Sequence, residues 1–428
     1  MLTKKEILKY HLGGEKNNNR GFELEIFCLG DKYQRLFLEQ GRKGKLQNLL
    51  NYLREVENFK KLDLKKTIGV EKNGSKFTFE PGFQLEYSTK RNKNADTLIK
   101  DFFGLLKLYK SFCKKLGLKL SDVSLFPAGD IKDTFMLATD RYKIMNKYFS
   151  KTGTLGSTMM RNTNSLQLTI SYGSKQDLEE KVNRLLFLKP VLLALSSNSR
   201  VHKNKDTGFR SFRDVIWKNT DPKRCGDPGK NFWINGRWII EDYIEKVLDA
   251  PVIFDVVNKR YKAVPAEPFR NLMDSLDLES YIFHNSTIFT DIRIKDYIEL
   301  RYLDNPTILL VPGMILLVEN ALNNGKVWKL LEGLPYKFEN VPDMSQKLNT
   351  VDKESFEFWN QAIKPVLVEA LNEIKLSCSR ENHFFLDVLL EKIHQLGSLS
   401  NLQVSTKNFL ENSTNQFNNN LIRLASRE

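Results

Sequence analysis

The hydrophobic positions of this chain follow two periods. Short runs in which apolar and polar residues alternate occur near residues 21–28, 76–88, 165–172 and 284–301, the pattern of strands with one buried face. Between them lie longer segments with apolar residues three and four apart. Leu98, Phe102, Leu105, Leu106 and Phe112 fall on one stripe of a helix predicted over Thr97 to Leu116, and Leu178, Val182, Leu185 and Leu186 do the same over Gln176 to Leu195. Pro190 lacks a backbone N–H and crowds the preceding turn, so the second helix should kink or end near Leu188. Beyond Pro312 the pattern is mainly helical, with candidates over Met314 to Leu322, Lys353 to Ile374 (interrupted at Pro365) and His383 to Leu396. The chain mixes strands with helices, and the chemistry is expected upstream of the helical C-terminal part.

No linker rich in Gly, Ser or Pro divides the chain. Residues 1–305 are therefore expected to form a catalytic, sheet-containing part and residues 306–428 a mainly helical part of the same catalytic unit. The Asn/Lys-rich patch from Glu15 to Arg20 and the Asn-rich stretch Asn412 to Asn420 read as loops or frayed ends, with the tail from about 411 a candidate for disorder.

Composition narrows the setting. A hydrophobic fraction of 41% in 428 residues is enough for a sizeable core without staples. The four cysteines are far apart and form no CxxC pair, which argues against a zinc site or a disulfide framework and fits the reduced cytoplasm. The first residues, MLTKKEILKYHLGG, lack the apolar core of a signal peptide, and no uncharged apolar stretch approaches the length of about 18 residues that spans a membrane. The net charge of +14 arises from 66 basic residues interleaved with 52 acidic ones, which reads as a solvated basic surface rather than a nucleic-acid stripe, and which also suits an anionic nucleotide.

Strand parity then selects the candidate chemistry, because alternate side chains of a strand share a face. In GFELEIF, Glu23 and Glu25 lie opposite Phe22, Leu24 and Ile26. In FEPGFQLEYS, Glu80, Gly82, Gln84 and Glu86 share a face; in SLQLTISY, Ser165, Gln167, Thr169 and Ser171 do; in DYIELRYL, Glu299 and Arg301 lie with Tyr297. Each run alone also fits the wet side of an antiparallel sheet. Together, carboxylates on one concave face would repel each other unless divalent cations neutralised them, and Mg²⁺ takes oxygen ligands from carboxylates and substrate phosphates. Arg301 beside them is a candidate to stabilise charge on a transferring phosphoryl group. A second constellation, GFRSFRDVIW with KNTDPKRCGDPG, gathers Arg210, Arg213, Asp221 and Arg224 around Trp217, either as a clamp for carboxylate or phosphate or as local ion pairs of a surface loop. There is no GxxxxGKS/T loop, no GxGxxG after a strand and no GxSxG elbow. The five histidines form no HExxH or triad-like arrangement, and His284 and Cys225 read as structural bystanders.

In order along the chain, GFELE, FEPGFQLEYS, DRYKIMNKYFSKTGTLGSTMM, TNSLQL, ALSSNS, GFRSFRDVIW with TDPKRCG, and HNSTIFTDIRIKDYIELR resemble the plant-type glutamate-cysteine ligase family, from about Gly21 to about Leu396. The resemblance implies an α+β fold, an antiparallel β-sheet funnel of the glutamine synthetase/glutamate-cysteine ligase type with surrounding helices. It also implies an ATP-dependent carboxylate-amine ligase that phosphorylates a side-chain carboxylate and lets an amine attack the acyl phosphate. Glutamate and cysteine would give γ-glutamylcysteine, the first step of glutathione synthesis; another acid or amine is the alternative. The implied partners are these small molecules. By matching position, Glu23, Glu25, Glu80, Glu86 and Glu299 would ligate Mg²⁺ or Mn²⁺, and Gln84, Arg213, Trp217, Arg224, Arg293 and Arg301 would hold substrate carboxylates or ATP phosphates, Arg301 and Arg213 serving catalysis. Gln167, Thr169 and Ser171, on the same face, complete the expected binding set.

The chain departs from the family pattern within these motifs. Gly82 and Phe83 stand where two glycines are usual, Thr169 and Ser171 where an Asn and an Asp are usual, Asn162 in place of Arg, Arg200 and Val201 in place of Pro-Phe, and Tyr302 and Leu303 in place of Gly-Ala. The change at Thr169 and Ser171 bears on the amine acceptor more than on the ATP chemistry.

Overall fold

The computed structural model describes residues 2–13, 19–38, 44–62, 68–257 and 260–424; most of the patch Glu15 to Arg20 lies outside them. The period-two runs become strands of one sheet: β1 (Arg20–Leu29), β2 (Lys60–Lys61), β3 (Gly69–Lys72), β4 (Ser75–Phe79), β5 (Leu85–Ser88), β6 (Lys119–Ser121), β7 (Leu166–Ile170), β8 (Ile292–Ile294) and β9 (Ile298–Leu300). Among the described residues the sheet has nine strands in the order β8-β9-β7-β1-β5-β4-β3-β2, with β6 on the distal half of β1, and each of their pairings is antiparallel. The run predicted from residue 284 starts later than its pattern, because His284 and Asn285 close the helix Leu278–Asn285.

One face of the sheet is the core. Phe22, Leu24 and Ile26 of β1 are buried there with Leu85, Tyr87, Leu166 and Leu168, under the helix Ala95–Leu116, whose Leu98, Phe102, Leu105, Leu106 and Phe112 are buried as their spacing requires. That helix is capped by Asn94 at its start, and it stops at Gly117, which takes the left-handed conformation that glycine adopts without strain. The predicted break before Pro190 occurs: one helix ends at Phe187 and the next is Lys189–Ser196.

The C-terminal part is helical. Val311–Asn323 is buried along nearly its whole length and packs on Arg380–Leu396 and on Ala95–Leu116, so its residues share one apolar core with the sheet. Before Pro365 the chain widens into a π-turn, Trp359–Ile363, and resumes as Lys364–Ser377. A proline lacks the N–H its helix would use and crowds the carbonyl four residues back, and one added residue per turn relieves both. The stretch Asn412 to Asn420, expected as a frayed tail, lies instead within the helix Phe409–Leu424, which buries Phe417, Leu421 and Leu424. Among the described residues no helix is long and apolar enough to cross a membrane.

Candidate active site

The other face of the sheet carries the polar side chains in cross-strand rows. Register aligns Arg293, Glu299, Thr169 and Gly21 in one row. The next holds Gln167, Glu23, Ser88 and Lys76, and the third Glu25, Glu86 and Thr78. Directly opposed residues of antiparallel strands bring their Cβ atoms to within about 5.5 Å of each other. The face is not the wet side of a sheet: Glu25 is 9%, Gln167 4% and Glu299 1% exposed. Loops and helices wall it into a cavity of about 570 Å³ lined by Glu23, Glu25, Glu80, Gln84, Glu86, Gln167, Arg213, Trp217, Arg293 and Arg301.

Four of the five expected carboxylates crowd this cavity, and their acidities record it. Burial, then the charges of Glu86 and Glu299, push Glu23 up to about 8. Burial raises Glu25, outweighing the pull of Arg213 and Arg301. Glu80 is raised well above the carboxylate range by burial and by the charges of Glu86, Glu25 and Glu23. Glu299 differs. Burial opposes its ionisation, but the guanidinium of Arg293, with Lys295 and Arg301, holds it well below the usual range. Arg293 grips Glu299 through both Nε and an Nη, the latter at 2.8 Å, Arg301 donates to it at 3.1 Å, and Lys295 lies 3.4 Å away.

Arg301 also donates to Gln167 Oε1 at 2.6 Å, and the Gln167 amide donates to Glu25 at 3.3 Å, so one side chain links the arginine to the carboxylates. Arg213 donates to the carbonyls of Leu303 (3.0 Å) and Arg301 (3.2 Å), while its Nε has no partner among the described residues. Trp217 packs against Phe289 at 5.8 Å, and its buried indole N–H is likewise unpartnered. Gln84 lines the floor, yet its amide is committed to the backbone of Gly82 and Thr163, both at 2.9 Å. Thr169 and Ser171 lie in an adjoining cavity of about 490 Å³ that shares Glu23, Lys76 and Ser88 with the first.

The structure does not bring Arg224 to either cavity. It is fully buried, pairs with Asp221 at 2.8 Å and donates to Thr287, Tyr148 and the Pro251 carbonyl, pinning three segments together. An acid three residues earlier in the same turn draws it inward. Arg210 also points elsewhere, so the arginine-rich segment is dispersed and only Arg213 with Trp217 reaches the site. His284 stacks on Phe269 away from it, and Cys225 is a buried thiol pushed up to about 12 by burial. Parity missed Lys76, Lys295 and Tyr142, and the wall of Met145, Met159 and Met160. Lys295 had a signal, standing four residues before Glu299; Tyr142 and the methionines fall within the family-like segment DRYKIMNKYFSKTGTLGSTMM, although their helical spacing alone reads as ordinary packing.

Residues 20–324 match the model of glutamate-cysteine ligase family 2. The chain belongs to that family. Among curated relatives, the chloroplastic glutamate-cysteine ligase of Medicago truncatula is 27% identical over 318 residues, covering 71% of this chain and 61% of that protein. The Arabidopsis thaliana enzyme is 26% identical, covering 71% and 59%. The chain thus spans about three fifths of the length of the relatives it matches. Among solved structures, a bifunctional glutathione synthetase from Pasteurella multocida superposes with a TM-score of 0.53 at 12% identity, over 96% of this chain and 53% of that one, a likeness of fold. The α+β arrangement of antiparallel sheet and enclosing helices is shared with that structure.

Proposed function

We propose that this family member is an ATP-dependent glutamate-cysteine ligase, forming γ-glutamylcysteine through an acyl phosphate in the cytoplasm, with residues 1–305 and 306–428 acting as one catalytic unit. The observation that carries the reading is the cavity over the sheet, in which Glu23, Glu25 and Glu86 of the cross-strand rows meet Glu80 of the adjoining turn beside Arg301, Arg213 and Arg293. Family membership supports it.

The family chemistry calls for Mg²⁺ or Mn²⁺, and the donor set fits. It is all oxygen, and Glu23, Glu25, Glu80 and Glu86 crowd closely enough that burial and their mutual repulsion raise them above the usual carboxylate range. Mg²⁺ takes its oxygen ligands from carboxylates together with substrate phosphates and water, and among the described residues no three Asp, Glu, His or Cys side chains converge to hold an ion by themselves. Glu23, Glu25, Glu80 and Glu86 would hold it; Glu299 is already occupied by cations. When bound, the metal neutralises the carboxylates and the triphosphate, letting them approach.

The chain's own groups supply the rest. Arg301, fixed by Gln167 and Glu299, presents its remaining donors to charge that develops as the phosphoryl group moves. Arg213 offers its unpartnered Nε to a carboxylate or phosphate, and Trp217 its indole N–H. Met145, Met159 and Phe289 form an apolar wall that keeps water from an acyl phosphate.

A second reading, a ligase of the same fold that accepts a different amine, is favoured by Thr169 and Ser171. A hydroxyl holds an ammonium group less strongly than a carboxylate does. We predict that glutamate supports turnover but that cysteine is only weakly preferred over other small amines. Competing cysteine with 2-aminobutyrate, alanine and glycine at equal concentration, with products weighed by mass spectrometry, tests this. Exclusive use of cysteine would refute the weaker preference and leave the ligase reading standing, whereas no γ-glutamyl product of any kind would sink both.

A further inference from the structure

A second concentration of unmatched charge lies where the C-terminal helices close on the sheet-containing part. A cavity of about 230 Å³ sits there, lined by Arg200, Arg210, Phe356, Lys392, Gln395 and Gln403 among others, and by no acidic residue. No residue lines both this cavity and the one over the sheet.

Of its three cations, Arg200 is satisfied by Asp206, at 2.8 and 2.6 Å. The other two have no such partner. Arg210 is 5% exposed and stacks over Phe356 at 4.6 Å. Among the described residues its acceptors are the carbonyls of Leu348, Thr350 and Leu396, all at 3.4 Å, the weak limit of a hydrogen bond. Among the described residues Lys392 reaches the Ser197 carbonyl alone, also at 3.4 Å. Among the described residues neither forms an ion pair, and Asp352 and Asp304 act on them only through space. Burial, then the charge of Arg200, brings Arg210 down to about 10, and burial, then the charge of Arg210, brings Lys392 down to about 8.

A buried guanidinium beside a half-buried ammonium, neither in contact with a counter-charge among the described residues, is costly to maintain, and a bound anion removes that cost. An arginine stacked on an aromatic ring also keeps its planar fork oriented for a carboxylate or phosphate. We infer that this cavity is a binding site for a small anion bearing a carboxylate or phosphate group, held between Arg210 and Lys392. Arg210 precedes the helix Phe212–Lys218 and Lys392 lies on the helix Arg380–Leu396. The anion therefore ties the sheet-containing part to the C-terminal helices, and its binding stabilises the fold.

Thermal melting of the full chain in chloride, inorganic phosphate and succinate at matched ionic strength, without ATP, tests the site. Tm is expected to rise with the logarithm of phosphate or succinate concentration, as for any ligand that binds the folded state alone. The larger of the two responses identifies the group bound. Lys392→Gln should raise the concentration needed for a given shift by about tenfold, the loss of one charge-assisted contact, and should melt no lower than wild type in chloride, since it removes an unpartnered cation. Lys5→Gln, an exposed charge change elsewhere, should respond as wild type does. Arg210→Gln should abolish the response, and Lys392→Gln keeps the test open if loss of the stacked arginine unfolds the chain. Equal Tm in all three salts overturns the inference. So does an unchanged response in Lys392→Gln, which would put the anion over the sheet instead.

Discussion

Glu299 shows how one side chain can organise a site. It is 1% exposed and faces Arg293, Lys295 and Arg301. Removing its charge leaves three cations, mostly buried, without their partner, a change that typically costs about 3–5 kcal/mol when a buried pair is broken. Glu299→Gln should therefore lower Tm as well as reduce kcat by orders of magnitude, because Arg301 loses one of the two contacts that aim it. Melting and steady-state kinetics on the purified variant check this, and an unchanged Tm would remove Glu299 from the centre of the arrangement. Parity put Glu299 and Arg301 on one face, and register sets Glu299 in the row of Arg293 and Thr169. What parity did not reveal is that Arg293 turns onto Glu299, because residues 284–301 read as a single run. The hairpin within it, Ile292–Ile294 against Ile298–Leu300, sets the two directly opposite each other.

The turn joining β4 to β5 positions three candidate residues at once. Glu80 and Gln84 are bonded across it through their backbones, and Glu86 follows two residues later. Its geometry is demanding. A Cβ on Gly82 would stand 2.2 Å from the Arg161 carbonyl oxygen, so only glycine fits that approach. Phe83, where the family usually has a second glycine, adopts a φ of 64°, a conformation that costs a non-glycine residue about 1–3 kcal/mol. Burial of its ring against Phe37, 5.5 Å away, offsets this. Arg35 adds a brace, donating to the Gly82 carbonyl and, at 2.6 Å, to Asn162. Gly82→Ala should push the turn off Arg161 and displace Glu80 and Gln84. Misplacement by about 1 Å can cost on the order of 10²-fold in rate, so kcat should fall at least that far; wild-type kcat in this variant would show that the turn does not position the site. The sequence marked Gly82 and Phe83 as unusual but carried no sign of the close approach to Arg161, which arises from a helix some 80 residues away in the chain.

At the scale of the whole molecule, buried ionisable groups set how stability depends on pH. Burial lowers His11 to about 4 and His284 to about 3, from an ordinary 6.5. Because both folded-state values are depressed, the stability they contribute is present above pH 6.5 and is lost as pH falls through about 4 and then 3. Glu23 works the other way: with its value raised to about 8, its contribution is present below about 4.5 and is lost as pH rises through 8. Urea unfolding of wild type and His11→Gln at pH 7.5 and 4.5 isolates the first effect. The variant should lose less stability on acidification, and equal losses would contradict the assignment. The helical character of the C-terminal part was legible from its spacing, and the final helix was not, because its asparagines mask the stripe of Phe417, Leu421 and Leu424. The central claim, that the crowded carboxylates and Arg301 activate an acid for attack by an amine, is tested most directly by following ADP release and product mass together. With ATP, Mg²⁺, glutamate and cysteine, the account predicts one γ-glutamylcysteine per ADP, and neither product in excess EDTA. ADP formed without any amide, or undiminished in EDTA, would contradict it.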